Sequence, residues 1–155
     1  MKVTTPKLIR WAGLSAVVAG IIFTAIQPTH PSINTSTFII ITSFKTSISI
    51  FGLLGITGLY ARQVEETGWQ GLAGYLLLTI YYAVQMCISF IEPTVLPLLT
   101  TIAPTFVESA LQLSSGTGVP TNLGSLATMY SLASILYVLG SLLFGMAMFR
   151  ARILP

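Results

Sequence analysis

The chain has 155 residues, with seven Lys or Arg, four Glu, no Asp, a net charge of +3 and a mean hydropathy of +0.86. Charged residues are 7% of it and apolar residues 54%, against about 25% charged in ordinary soluble domains. So few charges cannot clothe a soluble fold, and the scattered basic residues form no nucleic-acid patch; the chain reads as an integral membrane protein whose first partner is the lipid bilayer.

The first apolar stretch, residues 8–27, is preceded by Lys2 and Lys7 and contains Arg10 near its start. A secretory signal would look similar, but Thr24-Ala25-Ile26-Gln27-Pro28 lacks a small-x-small cleavage site, so an uncleaved helix is expected. Ala12, Ala16 and Gly20 form a small-residue ladder suited to close packing. Residues 28–36 are a short turn-rich link. Its His30 stands alone and is a poor metal ligand, and its Asn34-Thr35-Ser36 matches a glycosylation sequon.

The second stretch, 37–60, carries Lys45 about 12 Å from its outer end at the helical rise. Thr42, Thr46, Ser49 and Gly52 share the lysine's face. Residues 61–69 are a short link with Arg62, Glu65, Glu66 and the breaker Gly68. The third stretch, 70–91, bears Tyr75, Thr79, Tyr82, Gln85, Ser89 and Glu92 at steps of three and four, one side of a helix.

An outer loop is expected over 92–122. Pro93, Pro97 and Pro104 interrupt its apolar first part, and Phe106, Val107, Ala110, Leu111 and Leu113 recur at helical spacing, predicting a short amphipathic helix. The fourth stretch, 123–149, offers Ser134, Tyr137, Ser141 and Gly145 as a packing face. Each stretch has the roughly 20 residues needed to cross about 30 Å of hydrocarbon. None alternates as barrel strands do. The expected fold is all-α, a single four-helix transmembrane bundle over 1–155 with the amphipathic helix in its last outer loop.

Orientation follows from Lys2, Lys7, Arg10, Arg62, Arg150 and Arg152, which all fall on one side of such a bundle. That side is expected to be cytoplasmic, with both termini there. Trp11, Tyr60 and Trp69 sit at the same interface.

The candidate polar interior is Lys45, Glu92, Thr42, Ser49, Tyr82, Gln85 and Ser89. A lysine inside a membrane helix costs about 2.5–3.5 kcal/mol to insert and normally faces a partner or water. Antiparallel neighbours would bring Lys45 within reach of Glu92; Glu108 is a second candidate partner. No nucleophile–base set, nucleotide fingerprint or metal-ligand cluster is visible, and Cys87 is single. Neither catalysis nor a cofactor is therefore expected.

Arg10-Trp11-Ala12-Gly13-Leu14, Gln27-Pro28, the stretch from Phe51-Gly52-Leu53 to Gly58-Leu59-Tyr60, Glu92-Pro93 and the ending Phe149-Arg150-Ala151-Arg152-Ile153-Leu154-Pro155 together resemble a broad set of uncharacterised bacterial multi-spanning membrane proteins. The resemblance implies a bacterial inner-membrane location and transfers no functional residue. In similar proteins the terminal Arg-x-Arg-x-Leu-Pro run leads into another helix. The chain is thus either a complete four-helix protein or the first part of a longer architecture. The leading expectation for function is a non-catalytic structural or interaction role, with a homo-oligomer or another membrane protein as partner. The alternative is a transporter or channel-like component for a small solute, ion or proton, using the Lys45/Glu92 interior.

Overall fold

The computed structural model describes residues 5–26, 28–29, 32–33, 35–116 and 123–151. Lys2, Gln27, His30, Asn34, residues 117–122 and the run from Arg152 lie outside the described residues. The elements are α1 (Thr5–Ile26), α2 (Ser36–Thr94), α3 (Leu96–Leu99), α4 (Pro104–Ser115) and α5 (Ser125–Ala151), with no strand among the described residues. Three helices are long and apolar enough to cross a membrane: Pro6–Ile26, Ser36–Thr94 and Ser125–Ala151.

The expected helices at 37–60 and 70–91 are joined in α2, whose 59 residues do not form one rod. A straight helix of that length would run about 90 Å. Its backbone instead breaks at Gln63 (φ −130°, ψ 17°) and Gly68 (φ 54°, ψ −154°). The Gly68 angles are essentially closed to any residue with a Cβ. Beyond the break the chain folds back. Tyr60 stacks on Tyr75 with centroids 4.6 Å apart, Gly52 lies under Tyr82, and Lys45 meets Glu92. The first index falls as the second rises, so the arms are antiparallel, and the midpoint of every pair falls beside Gly68.

Small residues set how closely the helices approach. A Cβ on Gly55 would lie 2.7 Å from the Ala16 Cβ, and one on Gly58 would collide with Ala12. The Ala12/Ala16 ladder of α1 therefore seats directly on the first arm of α2. Gly20 takes no part and meets nothing within 4 Å.

On α5 the packing face differs from the one expected. Ala133, Gly140, Phe144, Ala147 and Met148 are buried, while Ser134, Tyr137 and Gly145 are exposed. The reason lies on the partner helix. Gly74 on the second arm of α2 admits the Phe144 backbone, and Leu77 and Leu78 close on Gly140. Ile56, Leu78, Phe144 and Met148 then form one apolar cluster.

In the stretch 92–122, expected as an outer loop with one short amphipathic helix, the described residues 92–116 are largely helical. α2 continues through Pro93 to Thr94, and the Val95 N–H closes on the Ile91 carbonyl at 2.9 Å. Pro93 removes the donor that would pair with the Ser89 carbonyl, and α2 ends one residue later. α4 opens with Pro104 and stops at Gly116, in the left-handed conformation. Leu96, Val107, Ala110 and Leu123 make a second apolar cluster, with Ile33 and Phe106 packed on it. The prolines and apolar residues of this segment thus build a cap with its own core.

The two clusters lie at different depths. The Ile56 cluster is near the α2 turn, where Arg150 donates to the Gln70 side chain at 2.9 Å. The Leu96 cluster covers the far end. The polar interior lies between them.

Candidate functional site

Thr35 caps α2, its hydroxyl accepting from the Phe38 N–H at 3.2 Å. That start sets the rotation of the helix. Thr42 (3% exposed) and Ser49 (2%) face the second arm. Their hydroxyls donate to main-chain carbonyls one turn back, Thr42 to Phe38 at 2.6 Å and Ser49 to Lys45 at 3.4 Å. They supply a narrow surface whose protons are already committed.

Lys45 Nζ lies 2.6 Å from Glu92 Oε2. The exposures of the pair are unequal: the lysine side chain is 36% exposed and the glutamate 7%. The other carboxylate oxygen accepts from the Tyr130 hydroxyl at 3.3 Å. Both Glu92 oxygens are therefore engaged, by donors from opposite sides: the first arm of α2 and α5. Burial of a carboxylate demands a paired charge and hydrogen-bonded oxygens, and each Glu92 oxygen holds one donor.

Tyr82 lies across Gly52, where a Cβ would come within 2.5 Å of its ring. Its neighbour Tyr81 tilts against it at 5.1 Å and against Tyr137 of α5 at 4.9 Å. Gln85 donates to the Ser89 hydroxyl at 3.2 Å, and Ser89 is 1% exposed behind it. The expected polar stripe of the second arm therefore divides. Tyr75 and Thr79 belong to the end near the turn, where Tyr75 shares a 3.4 Å contact with Thr57. Tyr82, Gln85 and Glu92 belong to the lysine's end.

These groups border a cavity of about 670 Å³. Lys45, Glu92, Thr42, Ser49, Tyr82 and Gln85 all line it. Ser89 does not; it braces Gln85 from behind. Phe23 and Ile26 of α1, Phe38 and Ile41 of α2 and Leu111 of α4 supply apolar wall. Glu108 also lines the cavity but does not pair with Lys45; it is exposed and accepts from Gln112 at 3.4 Å.

Tyr130 is the candidate-site residue that sequence reasoning missed. Its signal was depth: it lies near the start of α5, on the level of Glu92 near the end of α2. A tyrosine at that depth also reads as an interface anchor, which masked it. Among the described residues no group of three or more His, Cys, Asp or Glu could hold a metal ion.

No protein-family model, curated protein or solved structure matches this chain.

Proposed function

We propose that the chain is a solute-binding membrane protein of the transporter or channel-like kind, with the Lys45–Glu92–Tyr130 cavity as its binding site. The observation that carries this reading is the cavity itself. A pair serving only to fix helix rotation would be buried in a dry seam. Here the lysine ammonium borders about 670 Å³ of space, within the roughly 300–1,000 Å³ range of small-molecule sites.

In this reading the two arms of α2 are separate crossings, so that with α1 and α5 the chain spans a bacterial inner membrane four times. α4 lies as an amphipathic cap on the outer face. Both ends of the described chain are cytoplasmic, because Lys7, Arg10, Arg62 and Arg150 would gather there. The cavity then faces outward. The Ile56 cluster and the Ala12–Gly58 contact close the path towards the cytoplasm, so passage would require that seam to open.

Thiol accessibility tests the reading. In a Cys87→Ser background, Gln85→Cys and Ile48→Cys on the cavity wall should react with a membrane-impermeant methanethiosulfonate added outside. Ile56→Cys and Leu78→Cys, in the apolar cluster, should not. Equal inertness at all four positions would exclude a water-open cavity and return the pair to a structural role.

A further inference from the structure

The charge of the cavity wall and its uncommitted acceptors point to a ligand class. Among the described residues Lys45 is the one cation that lines the cavity, and Glu92 and Glu108 are its carboxylates, so the lining carries a single net negative charge. That charge does not sit at the buried pair. Lys45 and Glu92 balance each other at 2.6 Å, and Tyr130 holds the second Glu92 oxygen. The excess is on Glu108 of α4, which pairs with no cation among the described residues. Its Oε1 accepts from the Gln112 side chain at 3.4 Å, a long contact. The neutral groups of the wall lean the same way. Thr42, Ser49 and Ser114 give their hydroxyl protons to main-chain carbonyls, which leaves their lone pairs for a ligand. Gln112 gives an N–H to Glu108 and Gln85 gives one to Ser89, so each side-chain carbonyl is left to accept. Lys45 keeps two N–H groups, but within a pair of no net charge. The phenols of Tyr81 and Tyr82 can donate or accept and do not shift the balance.

Such a wall suits a donor that carries positive charge. An ammonium answers Glu108 with charge-assisted hydrogen bonds and can give a further N–H to Gln112, one helical turn along α4. The charge balance admits one positive charge; a second would enter an apolar surround unpaired. Within the pair the positive end is the accessible one, since the Lys45 side chain is 36% exposed and Glu92 7%. Lys45 therefore keeps a cationic head away from the pair and on the α4 side. Phe23 and Ile26 of α1 and Phe38 and Ile41 of α2 supply aromatic and aliphatic wall. We infer that the cavity takes a monovalent ammonium with an apolar body. Its head sits on Glu108 and Gln112, and its body lies against α1 and the first arm of α2. This inference rests on the solute-binding reading above and adds the ligand class to it.

The test uses the full chain in nanodiscs of zwitterionic lipid, with labelled phenethylamine as probe and empty nanodiscs subtracted. Saturable one-to-one binding is expected, displaced by unlabelled phenethylamine but not by 2-phenylethanol or 3-phenylpropanoate, which offer the same ring without the positive charge. Glu108 is exposed, so its variants should fold. Glu108→Gln should weaken phenethylamine about fivefold, the upper end for a partly solvated charge pair, and Glu108→Lys should abolish binding. Glu108→Asp should stay within a few-fold of the native chain. Glu66→Gln removes the same charge from the exposed α2 turn and should leave binding unchanged. Displacement by ethylamine would place the source among small water-soluble amines, and stronger displacement by hexadecylamine among membrane amphiphiles; either keeps the ammonium assignment. Phenylethanol or phenylpropanoate competing as well as phenethylamine, unchanged binding in Glu108→Gln and Glu108→Lys, an equal loss in Glu66→Gln, or no saturable binding would overturn it. The thiol test separates the failures. Labelling at residues 48 and 85 without phenethylamine binding removes only the ligand class, whereas no labelling removes both readings.

Discussion

At the scale of single residues, the Lys45–Glu92 contact illustrates how an apolar helical bundle tolerates buried charge. Each ion alone would be costly there, and together they are tolerable because Tyr130 completes the carboxylate's hydrogen bonds. Removing one partner should therefore cost more than removing both. Lys45→Met is expected to destabilise the detergent-solubilised protein by about 3 kcal/mol, the lower end of the range for buried pairs because the lysine is partly exposed. Lys45→Met/Glu92→Gln should recover most of that loss. Thermal unfolding of the single and double variants checks the order; a double variant less stable than the single one would contradict it. The pairing was legible from helical spacing, with Lys45 a few ångströms deeper than Glu92 and within the reach of its stem. The third member was not, because Tyr130 comes from a helix whose rotation no periodicity in the sequence reveals. Gln63 is a residue of another kind. It is fully buried with neither side-chain amide atom hydrogen-bonded, at the break in α2. Local pattern does not anticipate such a burial, since a glutamine beside Arg62 and Glu65 reads as solvated.

At the scale of elements, glycine placement determines which helices touch. The sequence shows the Ala12/Ala16 ladder on α1 but does not say what it meets. The structure supplies Gly55 and Gly58 of α2 as its counterpart. Gly55→Leu has no room to be absorbed, because the neighbouring atoms include the Ala16 main chain. It should separate α1 from α2 and cost about 1–3 kcal/mol, read as a lower unfolding temperature. Gly20→Leu, at a position open to its surroundings, should leave that temperature unchanged. Equal effects at the two positions would mean that the ladder does not carry the contact. The same logic explains the misjudged face of α5. A stripe of small residues is common on membrane helices, and Ser134, Tyr137 and Gly145 formed one by composition alone. The packed face was selected by Gly74 and Leu78 on the facing arm, which a reading of one helix cannot include. The described part of the outer stretch, residues 92–116, holds more helix than the one amphipathic segment expected there, for a related reason. Prolines read locally as interruptions, yet Pro104 stands at the first position of α4, where proline suits a helix.

At the scale of the whole molecule, α1 and α5 present large apolar side chains outward, Trp11, Ile21, Ile135 and Leu142 among them. Charge gathers towards one end of the bundle, where Arg62 and Arg150 lie by the turn of α2, and the polar cavity lies towards the other. The proposed orientation makes a sided prediction. In the Cys87→Ser background, Trp69→Cys should react with an impermeant thiol reagent only after the inner face is opened, and Ser115→Cys should react from outside in intact cells. The reverse pattern would invert the topology and place the cavity on the cytoplasmic side. The sequence by itself determined the all-helical class, the apolar stretches, the turn at Gly68 and the faces bearing Lys45 and Glu92. These follow from hydrophobic run length, helical period and backbone chemistry, all local properties of a chain. Only the tertiary structure decided that the two faces border a cavity, that Tyr130 joins the pair and that α4 lines one side of the cavity. A void depends on how far apart neighbouring helices are held and on what closes its ends, and those distances are set by glycines and apolar clusters far apart in the chain.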